Sequence, residues 1–326
     1  PVELVSSRSQ PIDLNNAWTF VRRDPARRTE LAKDRQALTR AGIVHRSPLP
    51  VKGPRGLALS PDGKLLCAVG YFSGDIALLS AEGETLGRIV LDPRPRPSTA
   101  WLGEALFHDA TISLQRRVSC ATCHPDNGRT DALRWDLPND RLGTPQETRS
   151  LLWSHRMSRT TARGVRRGVA ESVPAGFRFL RAEPAPERVQ GILAYLEALE
   201  PERSFLVTPA GALNENAARG KALFEGEAGC VRCHKGDLGT DEQVHAVGTE
   251  LPAASDRDRA HFLGADEGFV TPRLVELYRT APYLHDGRAA TLRDVFTIHD
   301  PEGQHGKASR LGEKQLEDLI EYLRSL

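Results

Sequence analysis

The stretch RVSCATCHPDNGRTD, residues 117–131, sets two cysteines three positions apart and follows the second at once with a histidine. The stretch AGCVRCHKGDLGTD, residues 228–241, repeats the arrangement. Together the two copies hold four of the five cysteines in the 326-residue chain. The motif residues are Cys120, Cys123 and His124 in the first copy, and Cys230, Cys233 and His234 in the second.

Three kinds of site use a C-x-x-C pair. A structural zinc site needs four ligands, commonly from two pairs about 15 to 20 residues apart, and these pairs are much farther apart. A thioredoxin-like redox pair needs a βαβ setting and one copy. Covalent c-type haem needs two cysteines for thioether bonds to the vinyl groups and an adjacent histidine for the iron.

Two complete C-x-x-C-H motifs favour the haem interpretation. The sequence therefore predicts two covalently bound haem c groups, with His124 and His234 as the proximal iron ligands. Covalent haem attachment takes place outside the reducing cytosol, so we expect a periplasmic or cell-surface location. The fifth cysteine, Cys67, lies in an apolar stretch and is expected to be a small buried residue of a strand.

Composition excludes two broad classes of function. Charged residues make up 27% of the chain and the formal net charge is +1, which disfavours binding to nucleic acid. No apolar run reaches the roughly 18 to 20 residues that a transmembrane helix requires.

The chain from residue 99 onward has the pattern of a duplication. LGEALFHD (102–109) precedes the first motif and GKALFEG (220–226) precedes the second. ERVQGILAYLEAL (187–199) and KQLEDLIEYLRSL (314–326) each carry apolar residues at helical spacing on one face. We predict a mainly α fold with two tandem cytochrome c-like haem domains, residues 99–207 and 208–326.

The N-terminal region, residues 1–98, has a different pattern. Between about 52 and 92, short apolar runs alternate with turn sequences such as SPDGK, FSGD and AEGE, which predicts a β-meander. The segment resembles one blade of a YVTN-type β-propeller. A single blade leaves apolar faces uncovered, so we expect it to pack on another part of the protein.

The two haem motifs, the paired ALF helices and TAPYLHDGRAATL (280–292) resemble the bacterial dihaem cytochrome c peroxidase family, which includes MauG-like enzymes. The likeness is nearest to the branch in which such a module follows a YVTN propeller. It implies reduction of hydrogen peroxide, or use of peroxide to oxidise a protein side chain. In the family the first haem is peroxidatic and the second relays electrons.

The resemblance also implies ligands around the second haem. The family places its distal ligand fourteen residues after the histidine of the YLHDG motif, and that position is His299. We therefore predict a bis-histidine haem with His234 and His299; the alternative is that His299 is a loop histidine, as for His305. Thr280 and Pro282 match the carbonyls that hold an inter-haem calcium ion, although the asparagine that completes the family's site has no clear counterpart.

The first haem is expected to have an open distal position. The family's switchable distal histidine corresponds to Asp140, and His155, the nearest remaining candidate, ranks below an empty site. Cleavage of peroxide needs a distal acid–base group, for which the alignment offers Glu171 and Glu183; each could equally be a surface carboxylate. Trp135 is favoured slightly over Trp153 as an electron relay between the haems, with core packing as the alternative for both tryptophans.

The leading hypothesis is a dihaem peroxidase whose second haem stores or relays oxidising equivalents. Its partner would be an electron donor, a small cytochrome c or a cupredoxin, or else a protein substrate oxidised as MauG-like enzymes do. The open first haem and the non-methionine ligand of the second favour the protein substrate modestly. A non-catalytic dihaem electron carrier is the rival from another class.

Overall fold

The computed structural model describes residues 39, 47–91, 97–135, 146–249, 268–300 and 302–326. The chain divides into two compact units, Pro1–Pro97 and Ser98–Leu326. Both haem motifs lie in the second unit. The predicted boundary between two haem domains at residue 207 falls inside that unit and stays a prediction.

The described part of the first unit is a four-stranded antiparallel meander in sheet order β1-β2-β3-β4. Its strands are β1 (Pro54–Leu59), β2 (Leu65–Gly70), β3 (Asp75–Ser80) and β4 (Thr85–Val90). The buried core consists of Val51, Ala68, Ala77 and Leu79. Cys67 lies in β2 as expected but is half-buried rather than buried. The predicted meander is confirmed, and its likeness to a propeller blade stays a prediction.

The second unit is mainly helical, which confirms the mainly α part of the predicted fold class. Its longer helices are α1 (Thr99–Phe107), α2 (Gly168–Phe179), α3 (Pro186–Glu197), α4 (Glu215–Glu225), α5 (Leu292–Thr297) and α6 (Glu313–Ser325). The unit also contains two short antiparallel strand pairs. They are β5 (Arg134–Trp135) with β6 (Gln146–Glu147), and β7 (Val244–His245) with β8 (Phe269–Val270).

The helix that precedes each haem motif begins at a polar cap. The Ser98 hydroxyl accepts a hydrogen bond from the Trp101 amide (3.1 Å) at the start of α1. The Asn214 side chain accepts one from the Ala217 amide (2.8 Å) at the start of α4. Both caps satisfy an amide that the first helical turn leaves without an internal partner.

The same helix crossing occurs twice in this unit. Helix α1 packs against α3 through glycines: a Cβ atom on Gly103 would lie 1.8 Å from the Gly191 carbonyl oxygen. Helix α4 packs against α6 in the same way, and a Cβ atom on Gly220 would lie 1.9 Å from the Asp318 carbonyl oxygen. At both crossings the backbones approach too closely for any side chain larger than hydrogen.

An aromatic pair accompanies each crossing. The ring centroids of Phe107 and Tyr195 are 5.0 Å apart, and those of Phe224 and Tyr322 are 5.3 Å apart. Each pair belongs to its own apolar cluster, and the first cysteine of each motif packs against that cluster. The helix pairs thus form two separate supports, one for each C-x-x-C-H motif.

Replacing Gly103 by alanine should destabilise the protein, because the added methyl group collides with the α3 backbone. We expect the free energy of unfolding of the haem-loaded protein to fall by about 3 kcal/mol in denaturant titrations. Gly176→Ala, in α2, is the matched control because a Cβ atom there would have no other atom within 4 Å. It should raise stability by up to about 1 kcal/mol through helix propensity. Equal effects at the two glycines would contradict the tight crossing.

Candidate functional site

The first C-x-x-C-H motif forms one closed helical turn. The amide of Ser119 donates to the Thr122 hydroxyl (2.9 Å), and the amide of Thr122 donates to the Ser119 carbonyl (3.1 Å). The amide of His124 donates to the carbonyl of Cys120 at 2.9 Å. Cys123 lies inside this turn, so both thiols and the imidazole are carried by one short, hydrogen-bonded segment.

The second motif contains the same backbone hydrogen bond from histidine to first cysteine as the first motif. Residues Cys230–Arg232 form a single 3₁₀ turn, and the amide of His234 donates to the carbonyl of Cys230, again at 2.9 Å. The turn begins after Gly229, whose φ of 68° lies in the left-handed region that glycine adopts readily.

The thiols of the motifs are neutral and unpaired. None of the cysteines forms a disulfide. Burial raises the pKa of Cys120, Cys123 and Cys230 to about 11. A dithiol redox pair requires a lowered thiol pKa, so this environment disfavours redox chemistry at either motif. Neutral thiols beside a histidine fit thioether attachment of haem.

Both motif histidines have the properties of iron ligands. Burial lowers the pKa of His124 and of His234 to about 4, which keeps each imidazole neutral. Nδ1 of His234 lies 2.8 Å from the Gly239 carbonyl oxygen, so this nitrogen donates and Nε2 keeps its lone pair for a metal. Nδ1 of His124 is buried and has no hydrogen-bond partner among the described residues.

Two guanidinium groups, those of Arg149 and Arg273, lie near the first motif. Burial lowers the pKa of Arg273 to about 10, with a further contribution from the charge of Arg149, and burial also lowers the pKa of Arg149. Arg273 donates from Nε to the Leu152 carbonyl (2.7 Å) and also donates to the Ser150 carbonyl. Neither guanidinium forms an ion pair with a carboxylate of the described residues. A bound anion would compensate these charges, and haem carries two carboxylates.

A buried ion pair joins the two copies of the helix pair. Arg129, five residues after His124, donates from two nitrogens to the two carboxylate oxygens of Glu276, each at 2.7 Å. Both side chains are buried. The amide of Glu202 also donates to Glu276, and the amide of Glu276 donates to the Leu326 carbonyl at 3.0 Å. Glu276 therefore connects three parts of the chain: its carboxylate contacts Arg129 and the segment between α3 and α4, and its backbone amide contacts the chain end at Leu326.

A ring contact with His234 is observed for His305 and, among the described residues, not for His299. The ring centroid of His305 lies 6.2 Å from that of His234. His299, the ligand expected from the sequence, follows α5 and is half-buried; its amide donates to the Asp294 carbonyl at 3.0 Å. The role of His299 stays a prediction.

Similarity to known proteins agrees with this arrangement. Residues 97–177 match the family described as di-haem cytochrome c peroxidase, and residues 217–326 match cytochrome c. Hydrazine synthase subunit gamma of Kuenenia stuttgartiensis is 32% identical over 270 residues, which cover 69% of this chain and 76% of that protein. The chain belongs to the dihaem cytochrome c peroxidase and MauG-like family. The methylamine utilization protein MauG of Methylorubrum extorquens is 27% identical over 282 residues, covering 71% and 78% of the two chains.

Solved structures show the same fold. Kuenenia stuttgartiensis hydrazine synthase superposes with a TM-score of 0.60 at 28% identity, covering 72% of this chain and 90% of that chain. A MauG-like protein associated with microbial copper homeostasis superposes with a TM-score of 0.55 at 22% identity, covering 72% and 91%.

Membership of the dihaem peroxidase family makes this chain an oxidoreductase. Relatives in the comparison are named as cytochrome-c peroxidases and as MauG. The family also implies haem c as the cofactor, in agreement with the two motifs. Among the described residues no helix is both long and apolar enough to cross a membrane.

The two tryptophans considered as electron relays have different hydrogen-bond partners, and the role of Trp135 stays a prediction. Its indole Nε1 donates to Asp131 (2.9 Å), a residue whose charge also acts on His124. Trp135 lies in β5, and the partner strand β6 connects to the second copy because the amide of Glu147 donates to the His285 carbonyl at 2.9 Å. Trp153 instead donates to Glu200 (3.1 Å).

The carboxylates expected to move protons are both exposed. Glu171 lies in the first turn of α2 and accepts a hydrogen bond from the Arg167 amide at 2.7 Å, as a helix-capping residue does. Glu183 lies in the loop before α3. Nδ1 of His155 lies 3.2 Å from the Leu196 carbonyl oxygen. Asp140 lies outside the described residues.

The loop expected to bind calcium lies beside a buried carboxylate. Thr280 and Pro282 follow the turn Leu277–Arg279, and neither carbonyl accepts a hydrogen bond from the described residues. A Cβ atom on Gly287 would lie 3.0 Å from Pro282 and 3.5 Å from the Glu147 side chain, so both line the same space. Oε1 of Glu147 is buried without a hydrogen-bond partner among the described residues.

Several charged residues of this site were not found from the sequence: Glu147, Arg149, Arg273 and the pair Arg129–Glu276. Glu147, Arg273 and the Arg129–Glu276 pair contact residues far away along the chain, and Arg149 acts on Arg273 through its charge, so local periodicity does not reveal these interactions. A usable signal is a charge inside an apolar stretch, as Arg149 in TRSLLW and Arg273 in FVTPRLV.

Removing the carboxylate of Glu276 should weaken the connection between the two copies of the helix pair. Glu276→Gln leaves the buried Arg129 without a full counter-charge, and we expect a loss of about 3 kcal/mol in the free energy of unfolding. Glu313→Gln is the control, because its ion pair with Arg293 is exposed and should contribute less than about 1 kcal/mol. Denaturant titration measures both. Similar small losses would show that the buried pair does not hold the halves together.

Proposed function

We propose that this chain is an exported dihaem c-type peroxidase. Hydrogen peroxide would react at an open first haem attached to Cys120 and Cys123, and the second haem, attached to Cys230 and Cys233, would store or relay oxidising equivalents to a partner protein. The observation that carries the proposal is the repeated C-x-x-C-H turn, each copy supported by its own helix pair inside one compact unit. Membership of the family supports the peroxidase class.

Different residues of the chain would bind the first haem, move protons and relay electrons. His124 would hold the iron through its neutral imidazole, while Arg149 and Arg273 would bind carboxylates of the cofactor. The haem bound there would supply the iron centre at which the O–O bond of peroxide is cleaved. Glu171 and Glu183 are the candidates for moving the proton between the peroxide oxygens. Trp135, fixed by its hydrogen bond to Asp131, is the candidate relay toward the second copy.

The test is spectroscopy of the mature protein. Mass spectrometry should count two haem adducts, and the ferric spectrum should contain one high-spin and one low-spin haem. One equivalent of hydrogen peroxide should change the high-spin component. Two low-spin haems with no reaction would overturn the proposal in favour of an electron carrier.

Matched variants locate the acid–base group in the same experiment. Loss of the proton-transferring carboxylate should slow the peroxide reaction about 100-fold or more. Glu171→Gln and Glu183→Gln therefore serve as controls for each other. If neither slows the reaction, both are surface residues and the proton moves through another group.

Two kinds of partner protein fit the proposal. A small cytochrome c or a cupredoxin would return electrons so that peroxide is reduced to water; a protein substrate would instead lose electrons from a side chain. Similarity to a protein named as a hydrazine synthase subunit supports a further proposal, in which the partner is a permanent subunit of the same enzyme. Sustained peroxide consumption with a reduced donor protein distinguishes the first kind from the other two.

We also propose a calcium ion between the carbonyls of Thr280 and Pro282 and the carboxylate of Glu147. Carbonyl and carboxylate oxygens are the ligands that Ca²⁺ prefers. Burial raises the pKa of Glu147 to about 8, and a bound cation would favour its ionised form and occupy the space at Oε1, which has no hydrogen-bond partner among the described residues.

Removal of calcium should destabilise the protein. A chelator should lower the melting temperature of the holo-protein, and Ca²⁺ should restore it while Mg²⁺ does not, because the smaller ion demands stricter geometry. Glu147→Gln should weaken calcium binding at least tenfold in isothermal titration. Glu187→Gln, an exposed residue of α3, is the control and should leave affinity unchanged. Unaltered melting after chelation would contradict the site.

A further inference from the structure

The separation of the His234 and His305 rings points to a shared metal ion. Metal–imidazole bonds are about 2.0 to 2.1 Å long, so two imidazoles on opposite sides of one ion have ring centroids about 6.3 Å apart. The observed separation is 6.2 Å, with an angle of 44° between the ring planes.

We propose that His305, rather than His299, is the second axial ligand of the haem iron held by His234. The proposal rests on the proposed function only in assuming that a haem is attached to the second motif. It makes the second haem a bis-imidazole centre, in which both ligands come from the same copy of the duplicated fold. His299 has no ring contact with His234 among the described residues.

Backbone contacts hold His305 beside the second motif. The amide of Lys307 donates to the carbonyl of Ala228 at 3.0 Å, and Ala228 lies two residues before Cys230. A Cβ atom on Gly306 would lie 2.9 Å from the same carbonyl oxygen. The residues immediately after His305 therefore lie against the segment that leads into Cys230. Because Gly306 and Lys307 directly follow His305, their contacts with Ala228 hold His305 near the second motif, whatever the length of the preceding loop.

The loop before His305 is folded around a buried carboxylate. Asp300 is buried and accepts a hydrogen bond from the Gln304 amide at 2.7 Å, while the Gly303 amide donates to the Asp300 carbonyl at 3.2 Å. Gly303 and Gly306 both have positive φ values, 71° and 78°, which glycine tolerates. The ring of Phe296 lies 6.2 Å from the His305 ring and belongs to the buried cluster of the second copy.

The arrangement of the His234 side chain agrees with this assignment. Its Nδ1 is bonded to the Gly239 carbonyl, so only Nε2 is available to the metal. A carbonyl partner on the proximal ligand and an imidazole on the other side both favour the ferric state relative to a methionine-ligated haem. The second haem would then be a low-potential centre that gives up electrons readily and so accepts oxidising equivalents from the first.

The test compares His305→Ala with His299→Ala in the haem-loaded protein. In His305→Ala the low-spin ferric signal of one haem, measured by electron paramagnetic resonance, should convert to high-spin while mass spectrometry still counts two haem adducts. Added imidazole should restore the low-spin signal. His299→Ala should leave the signal unchanged. Conversion in His299→Ala alone would overturn the proposal and assign His299.

A second variant guards against misfolding. His305→Met offers a thioether ligand in the same place and should raise the reduction potential of one haem, so that the ratio of reduced to oxidised haem at a fixed potential rises at least tenfold, or 59 mV. An unchanged potential would contradict the assignment. These signals do not involve peroxide: the ligand proposal stands if they appear in a protein that fails to react with peroxide, and it fails alone if they are missing from a reactive one.

Discussion

The Arg129–Glu276 ion pair holds the two copies of the haem-binding fold in one unit. Its partners are 147 residues apart in sequence, and both are buried, so the charge of Glu276 is compensated by Arg129, which also lies 3.4 Å from Glu202. Glu276 also receives the amide of Glu202 and anchors the end of the chain at Leu326. Because Arg129 follows His124 closely and Glu276 precedes the loop at 280–282, the distance between the first motif and that loop depends on this pair.

The two copies share a scaffold but give their histidines different surroundings. Each copy has a glycine crossing, an aromatic pair and a closed C-x-x-C-H turn. His234 is fixed by a carbonyl at Nδ1, whereas His124 is buried near the charge of Arg273. Hydrogen bonding and local charge both tune a ligated metal, so equal scaffolds can carry centres of unequal potential. The two copies therefore share the scaffold that supports the motif, but they differ in the groups that would tune a bound metal.

The sequence predicted what depends on neighbouring residues. The C-x-x-C-H motifs, the paired helices and the β-meander follow from local spacing and periodicity, and each is present. Long-range polar contacts left no such pattern, and Glu276 and Arg149 went unnoticed for that reason. The expected ligand of the second haem illustrates the difference: a count from His285 leads to His299, whose role stays a prediction, while a histidine ring near that of His234 belongs to His305. A fixed count assumes one loop path, and here the loop turns around Asp300.

The glycine crossings limit how the protein can change its conformation. With a carbonyl oxygen in the space where a Cβ would stand, neither helix of a pair can slide along its partner without a backbone collision. Shear between helices, a common mode of conformational change, is thus blocked in both copies. Structural adjustment must then take place in the connecting segments, while the helix pair behind each C-x-x-C-H turn stays rigid.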